Sequence, residues 1–197
     1  GSSSSITVAL LHAFYAYQNV LVSAEQLAQE ACRIEIDIVG KPIGRQDQYI
    51  AAYGGLNRIV FRPGDRVEVR PIILDYEDFM RLSSSLLLFY TGITRNADTI
   101  LSRQKKHYSH EDRFHTMCEM VALTQPFQQA LESGQLAACG HLLHDNWELK
   151  RKMVSTISNG TIEAMYRTAR DAGAIGGKIA GAGGGGFLIL YVPKSKQ

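Results

Sequence analysis

KIAGAGGGGFLILYV, residues 178–192, sets five glycines within six positions and runs directly into an apolar segment. Glycine loses more backbone freedom on folding than any other residue, so ordering such a run is costly. The cost is tolerated where a chain must approach something closely, commonly a phosphate or another backbone. A flexible linker is polar on both sides, whereas this run lies between Ile179-Ala180 and Phe187-Leu188-Ile189-Leu190. It is therefore read as a structured loop, the end of a glycine-rich turn that opens at Gly173 and runs straight into a strand at 187–192. No Gly-Lys-Ser/Thr follows, so it is not a Walker A loop. The glycines precede a strand rather than follow one, so it is not a dinucleotide fingerprint either.

A second unusual stretch opens the chain: GSSSSITVALLHAF, residues 1–14. Terminal Gly/Ser strings are commonly flexible tails. Yet no spacer separates Ser5 from the apolar residues, which read as a buried helix over 5–18. A glycine and serines at a helix start place unpaired N–H groups and hydroxyls at the positive end of the dipole, an anion site by geometry. A hydroxyl there can also ligate Mg²⁺. The residues alone leave both readings open.

The third stretch, EIDIVGKPIGRQDQYIAAYGG (35–55), holds three carboxylates, Glu35, Asp37 and Asp47, in an apolar and glycine-bearing context. Asp47 sits at the mouth of a short helix with Arg45 two residues before it. A carboxylate beside a cation stays ionised and can orient a substrate hydroxyl or accept its proton; a simple helix cap is the alternative. Glu35, at the end of a helix that Ser23-Ala24-Glu25-Gln26 begins as a capping box, could hold Mg²⁺.

Between these stretches, LNRIVF and VEVRPI alternate around Pro63-Gly64-Asp65 and predict a hairpin. Leu86–Tyr90 reads as a buried strand and 94–172 as largely helical. Strands and helices mix without regular alternation, an α+β pattern. The chain has 197 residues, 45% hydrophobic and 20% charged, with a formal charge of +2. No apolar run reaches membrane-spanning length, and the balance does not advertise nucleic acid. The basic cluster Arg103–His107 lacks interleaved aromatics and reads as a solvated helix face. So do His107, His110, Glu111 and His115, which lack a metal-ligand pattern. Three unpaired cysteines indicate reduced thiols and a cytoplasmic setting.

Together the three stretches resemble the GHMP kinases. Lys178–Phe187 is similar to the family's third motif. Gly1–Ser5 resembles the tail of its second, and Gly44–Asp47 with Ala51–Gly55 the segment bearing its catalytic aspartate. GKPIGRQDQYIAAYGGLNRIVF, LLLFYTGITRNADTIL and LLHDNWELKRKM are most similar to the heptose 7-phosphate kinase branch. The serine run is then the broken edge of a phosphate loop, and the chain a fragment that is inactive by itself.

The resemblance implies a GHMP fold. Residues 1–75 would be the remainder of the S5-like N-terminal domain, and 76–197 the ferredoxin-like C-terminal domain. It implies ATP and Mg²⁺ as cofactors and a small sugar phosphate as substrate, with no nucleic acid or membrane partner; a homodimer is left open. The reaction implied is phosphorylation of the anomeric hydroxyl of a heptose 7-phosphate to the 1,7-bisphosphate. Other readings are a fucose- or galactose-type sugar-1-kinase, or an inactive binding module. Asp47 would be catalytic. Gly1, Ser2, Ser3 and Ser4 would cradle the nucleotide phosphates. Ser3 and Glu35 would hold Mg²⁺, with Asp37 as a competitor. Gly183, Gly184 and Gly185 would line the substrate side. Lys41, Arg45, Arg95 and Lys178 lie on or beside these loops, and Arg45 or Arg95 is expected to read the substrate's own phosphate.

Overall fold

The hydroxyl of Ser23 accepts a hydrogen bond from the Gln26 amide at 3.1 Å, the first half of the expected capping box. It starts a helix that packs on both neighbours in sequence. The computed structural model of the chain describes residues 2–94, 111–153, 160–181 and 183–197. Arg95, His107, His110 and the cluster 103–107 lie outside the described residues. The chain divides into two units, Gly1–Ile72 and Ile73–Gln197.

The first unit contains α1 (Ser2–Tyr17), α2 (Ala24–Cys32), a π-helical turn (Arg33–Ile38) and α3 (Gln46–Tyr53). The antiparallel hairpin β1 (Asn57–Phe61) and β2 (Val67–Pro71) completes it. Residues four apart on a helix share a face, and α2 uses two such faces. Leu27 and Ala31 pack with Val8 of α1. Ala28 and Cys32 pack with Tyr49 of α3, against Ile59, Val67 and Val69 of the hairpin. The Tyr49 and Tyr53 hydroxyls both donate to the Glu25 carboxylate, at 2.9 and 2.8 Å, which sets the roll of α3 on α2. Burial and this bond push the Tyr53 phenol up to about 12. The opening helix is not buried throughout, as its apolar composition predicts. Val8 is, but Ile6, Leu10, Phe14 and Tyr17 form an exposed stripe away from α2.

The second unit contains α4 (Tyr76–Ser85), β3 (Leu86–Tyr90), α5 (Glu111–Ala122), α6 (Thr124–Glu132), α7 (Leu136–Met153) and α8 (Gly160–Asp171). It ends with β4 (Gly176–Ile179) and β5 (Phe187–Tyr191). The strands form one antiparallel sheet, in the order β3-β5-β4. Leu88 and Lys178 both stand opposite Ile189. Trp147, Ile162 and Tyr166 from the helices close over Ile179, Leu188 and Leu190. Trp147 is thus a core residue. The whole molecule is α+β. No described helix is long and apolar enough to cross a membrane.

Two expectations need correction here. Leu86–Tyr90 is a strand but not a buried one, with Leu88 62% exposed; it lies at the edge of its sheet, beyond β5. The segment ahead of the glycine loop is not all turn, because Gly176–Ile179 pairs with β5 as a strand. Glycines usually weaken strands, but at Gly176 a Cβ would strike the Gly140 carbonyl of α7. The helix can sit this close to the strand only because no side chain intervenes. Gly176→Ala is expected to lose about 1–3 kcal/mol through overpacking. Urea unfolding of the two proteins checks this, and an unchanged midpoint would show that the contact yields without cost.

Candidate functional site

The serine run is helical from Ser2, and its hydroxyls meet the carboxylate that the sequence singles out. Glu35 is only 2% exposed. Its place in a π-helical turn matters, since this wider winding often marks functional positions. There the Ile34 carbonyl accepts from the Val39 amide at 2.9 Å, and the Glu35 carbonyl from the Lys41 amide at 3.0 Å. Gly40, at φ 73°, reverses the chain between them. Glu35 is turned inward, whereas Asp37 is left exposed. Asp37 does not join the cluster.

Four groups converge on the Glu35 carboxylate. Lys41 Nζ donates at 3.0 Å and Gln48 Nε2 at 2.6 Å. The Ser4 and Ser3 hydroxyls also donate to it. Burial pushes the carboxyl upward, but hydrogen bonds from Ser4, Lys41, Ser3 and Gln48 outweigh it and hold the group down at about 2. Glu35 is therefore ionised at neutral pH. Ser4 and Gln48 are buried with it, and Gln48 Oε1 has no hydrogen-bond partner among the described residues. A carboxylate and two hydroxyls make a hard oxygen donor set of the kind Mg²⁺ takes, with the Lys41 ammonium beside it. These residues fit that ion.

Asp47 lies in the first turn of α3, half-buried, one residue before Gln48. Arg45 precedes the helix but turns to Asp65 in the hairpin loop, at 2.9 Å. Asp65 is largely exposed, so the pair is weak and separable. Gln48 was not singled out in the sequence. Its signal there is only its place beside Asp47, and its burial comes from how α3 packs.

The second unit holds the glycine loop. Gly181, Gly183, Gly184 and Gly186 have φ of 72°, 94°, 67° and 83°, the left-handed region that other residues avoid. The loop is tied on several sides. Thr91 Oγ1 and its amide donate to the Gly186 carbonyl at 2.8 and 2.9 Å, and the Gly186 amide donates to Ile93 at 2.9 Å. Lys150 Nζ donates to the Gly181 carbonyl at 2.7 Å. Gly183, Gly184 and Gly185 are buried, so the run is a built loop. Lys178 donates to Asn146 Oδ1 at 2.9 Å, and burial lowers its pKa. His144 Nδ1 lies 2.8 Å from the Tyr166 hydroxyl. Among the described residues no cluster of His, Cys, Asp and Glu could hold a metal by itself.

The Glu35 cluster carries a pH signature. Its folded value is depressed from 4.5 to about 2, so the unfolded chain takes up a proton first. The stability that Glu35 contributes is present above the ordinary glutamate range and is lost as pH falls from 4.5 toward 2. Allowing for solvent screening, it is on the order of 2 kcal/mol. Glu35→Gln is expected to unfold more easily at neutral pH, with stability that falls less steeply across that window. Urea midpoints taken between neutral pH and strong acid compare the two slopes.

Residues 1–55 match the family model for the GHMP kinases N terminal domain, and residues 127–197 that for GHMP kinases C terminal. The chain is 30% identical over its whole length to a D-glycero-alpha-D-manno-heptose 7-phosphate kinase of Campylobacter jejuni, of which it covers 58%. It is 25% identical to a bifunctional fucokinase/GDP-fucose pyrophosphorylase of Arabidopsis thaliana, again over its whole length and 19% of that protein. Among solved structures it is similar to a D-glycero-D-manno-heptose 1-phosphate kinase from Bacteroides thetaiotaomicron. There the TM-score is 0.67 at 25% identity, over 98% of this chain and 53% of that one. The chain thus spans little more than half the length of these heptose kinase relatives. With both family models matched and the same fold shared, the chain belongs to the GHMP kinase family.

Proposed function

We propose that this chain carries the phosphoryl-transfer centre of an ATP-dependent kinase acting on the anomeric hydroxyl of a heptose 7-phosphate. The product would be the 1,7-bisphosphate. The observation that carries the reading is the buried, ionised Glu35 against the Ser3 and Ser4 hydroxyls, joined through Gln48 to the helix that bears Asp47. The similarity to heptose phosphate kinases supports the choice of sugar. Residues 1–75 and 76–197 are assigned to the N- and C-terminal domains of the family.

In this reading Asp47 orients the attacking hydroxyl and accepts its proton. Glu35 and Ser3 would hold Mg²⁺, and the N–H groups of residues 1–4 would receive phosphate oxygens. When bound, Mg²⁺ draws charge from the transferring phosphoryl group. Gly183, Gly184 and Gly185 line the sugar side, where an absent Cβ lets the backbone come close. Arg45 or Arg95 takes the substrate's own phosphate, for which a guanidinium fork is well shaped. Arg45 would leave Asp65 to do so, at little cost because that pair is exposed. Catalysis is then chiefly positioning and charge neutralisation.

A fucose- or galactose-type sugar-1-kinase is the second reading, supported by the fucokinase relative. An inactive binding module is the third. ADP release with Mg-ATP is to be measured on this chain and on the longest natural form of the protein that contains it. The panel is heptose 7-phosphate, fucose, galactose and mevalonate. The 197-residue chain alone is expected to be silent. The longer form is expected to turn over with heptose 7-phosphate and to lose at least about 100-fold in Asp47→Asn, the scale of a lost general base. Turnover with another sugar would reassign the substrate. Silence without nucleotide binding would favour the binding module.

A further inference from the structure

Gln48 is 0% exposed and its two polar ends have different fates. Nε2 donates to Glu35 Oε2 at 2.6 Å, while Oε1 has no hydrogen-bond partner among the described residues. The orientation is set by chemistry. An ionised carboxylate only accepts hydrogen bonds, so the amide must turn its nitrogen to Glu35 and its oxygen away. Leaving a buried carbonyl oxygen unpaired costs about 1–3 kcal/mol. A leucine of similar size would avoid that cost. The orphaned oxygen belongs to the same carboxamide that holds Glu35, within a cluster whose other members are two hydroxyls, a carboxylate and the Lys41 ammonium.

The other donors to Glu35 are poor at fixing its direction. Lys41 is a partly exposed point charge on a flexible stem. The serine hydroxyls rotate. Gln48 alone is planar, buried and anchored in a helix. Successive helical residues point roughly 100° apart, so α3 keeps Asp47 half-exposed while turning Gln48 and Tyr49 inward. The roll of that helix is pinned by Tyr49 and Tyr53 on Glu25.

We propose that Gln48 is a positioning residue of the cation site. Nε2 aims the Glu35 carboxylate at the Ser3 and Ser4 hydroxyls. Through adjacency on α3, Gln48 also registers that carboxylate against Asp47. The inference rests on the reading of Glu35 as a cation ligand, and nothing in it depends on which sugar is phosphorylated.

The test is binding of Mn²⁺–ATP without sugar, followed by enhancement of water-proton relaxation, on the longest natural form of the protein. Gln48→Leu is expected to weaken binding about 10–100-fold, the scale for a partner that orients a metal ligand. Made in a Glu35→Gln background, the same change is expected to add less than about 2-fold, because Gln48 acts through Glu35. Gln48→Met, unbranched and of similar volume, replaces it should the leucine variant not fold. Wild-type affinity in the folded variant overturns the proposal, as does a loss that is fully additive with Glu35→Gln. If the wild-type protein binds no Mn²⁺–ATP, both the proposal and the kinase reading beneath it fall.

Discussion

Burying a carboxylate is unfavourable unless several donors surround it, and the first unit is organised around meeting that condition at Glu35. The donors come from three separate segments: the start of α1, the turn after the π-helical winding, and α3. The start of α1 is far in sequence from the other two, so the charge is tolerated only when it has reached its place against them. The apolar packing of α2 on both sides supplies the driving force. The carboxylate specifies the geometry. Removing one partner from such a cluster is costlier than the net value of the cluster, because the charge stays buried.

The second unit meets a different constraint. Its glycine loop is held by hydrogen bonds to Thr91, Ile93 and Lys150, from the chain that follows β3 and from α7. Just before the loop, α7 and β4 approach so closely at Gly140 and Gly176 that neither position admits a side chain without displacement. Glycine therefore serves two purposes in one short stretch, helix-to-strand contact at 176 and left-handed turns from 181 onward.

Much of this was legible in the residues. The Ser23 cap, the hairpin around Pro63-Gly64-Asp65 and the strand at Phe187 each carry a local chemical signal, and each forms. The helix that follows the serine run also forms, although it starts at Ser2 rather than at residue 5. What was not legible depends on partners distant in sequence. The inward turn of Glu35 rather than Asp37 comes from π-helical winding that no spacing rule announces. β4 contains two glycines that read as turn until α7 is in place. The apolar run at 86–90 looks buried by composition but lies on a sheet edge. Gln48 is an ordinary polar residue until α3 rolls it inward.

The bond between Thr91 and Gly186 joins residues 95 apart in sequence. A contact of that span is formed late in folding, because the closure entropy of the intervening chain must be met before the contact returns anything. β3 and β5, which flank the two residues, have to pair first. The glycine loop is thus among the last parts of its unit to take shape. A nascent chain displays those glycines as unstructured polypeptide until β5 has been synthesised.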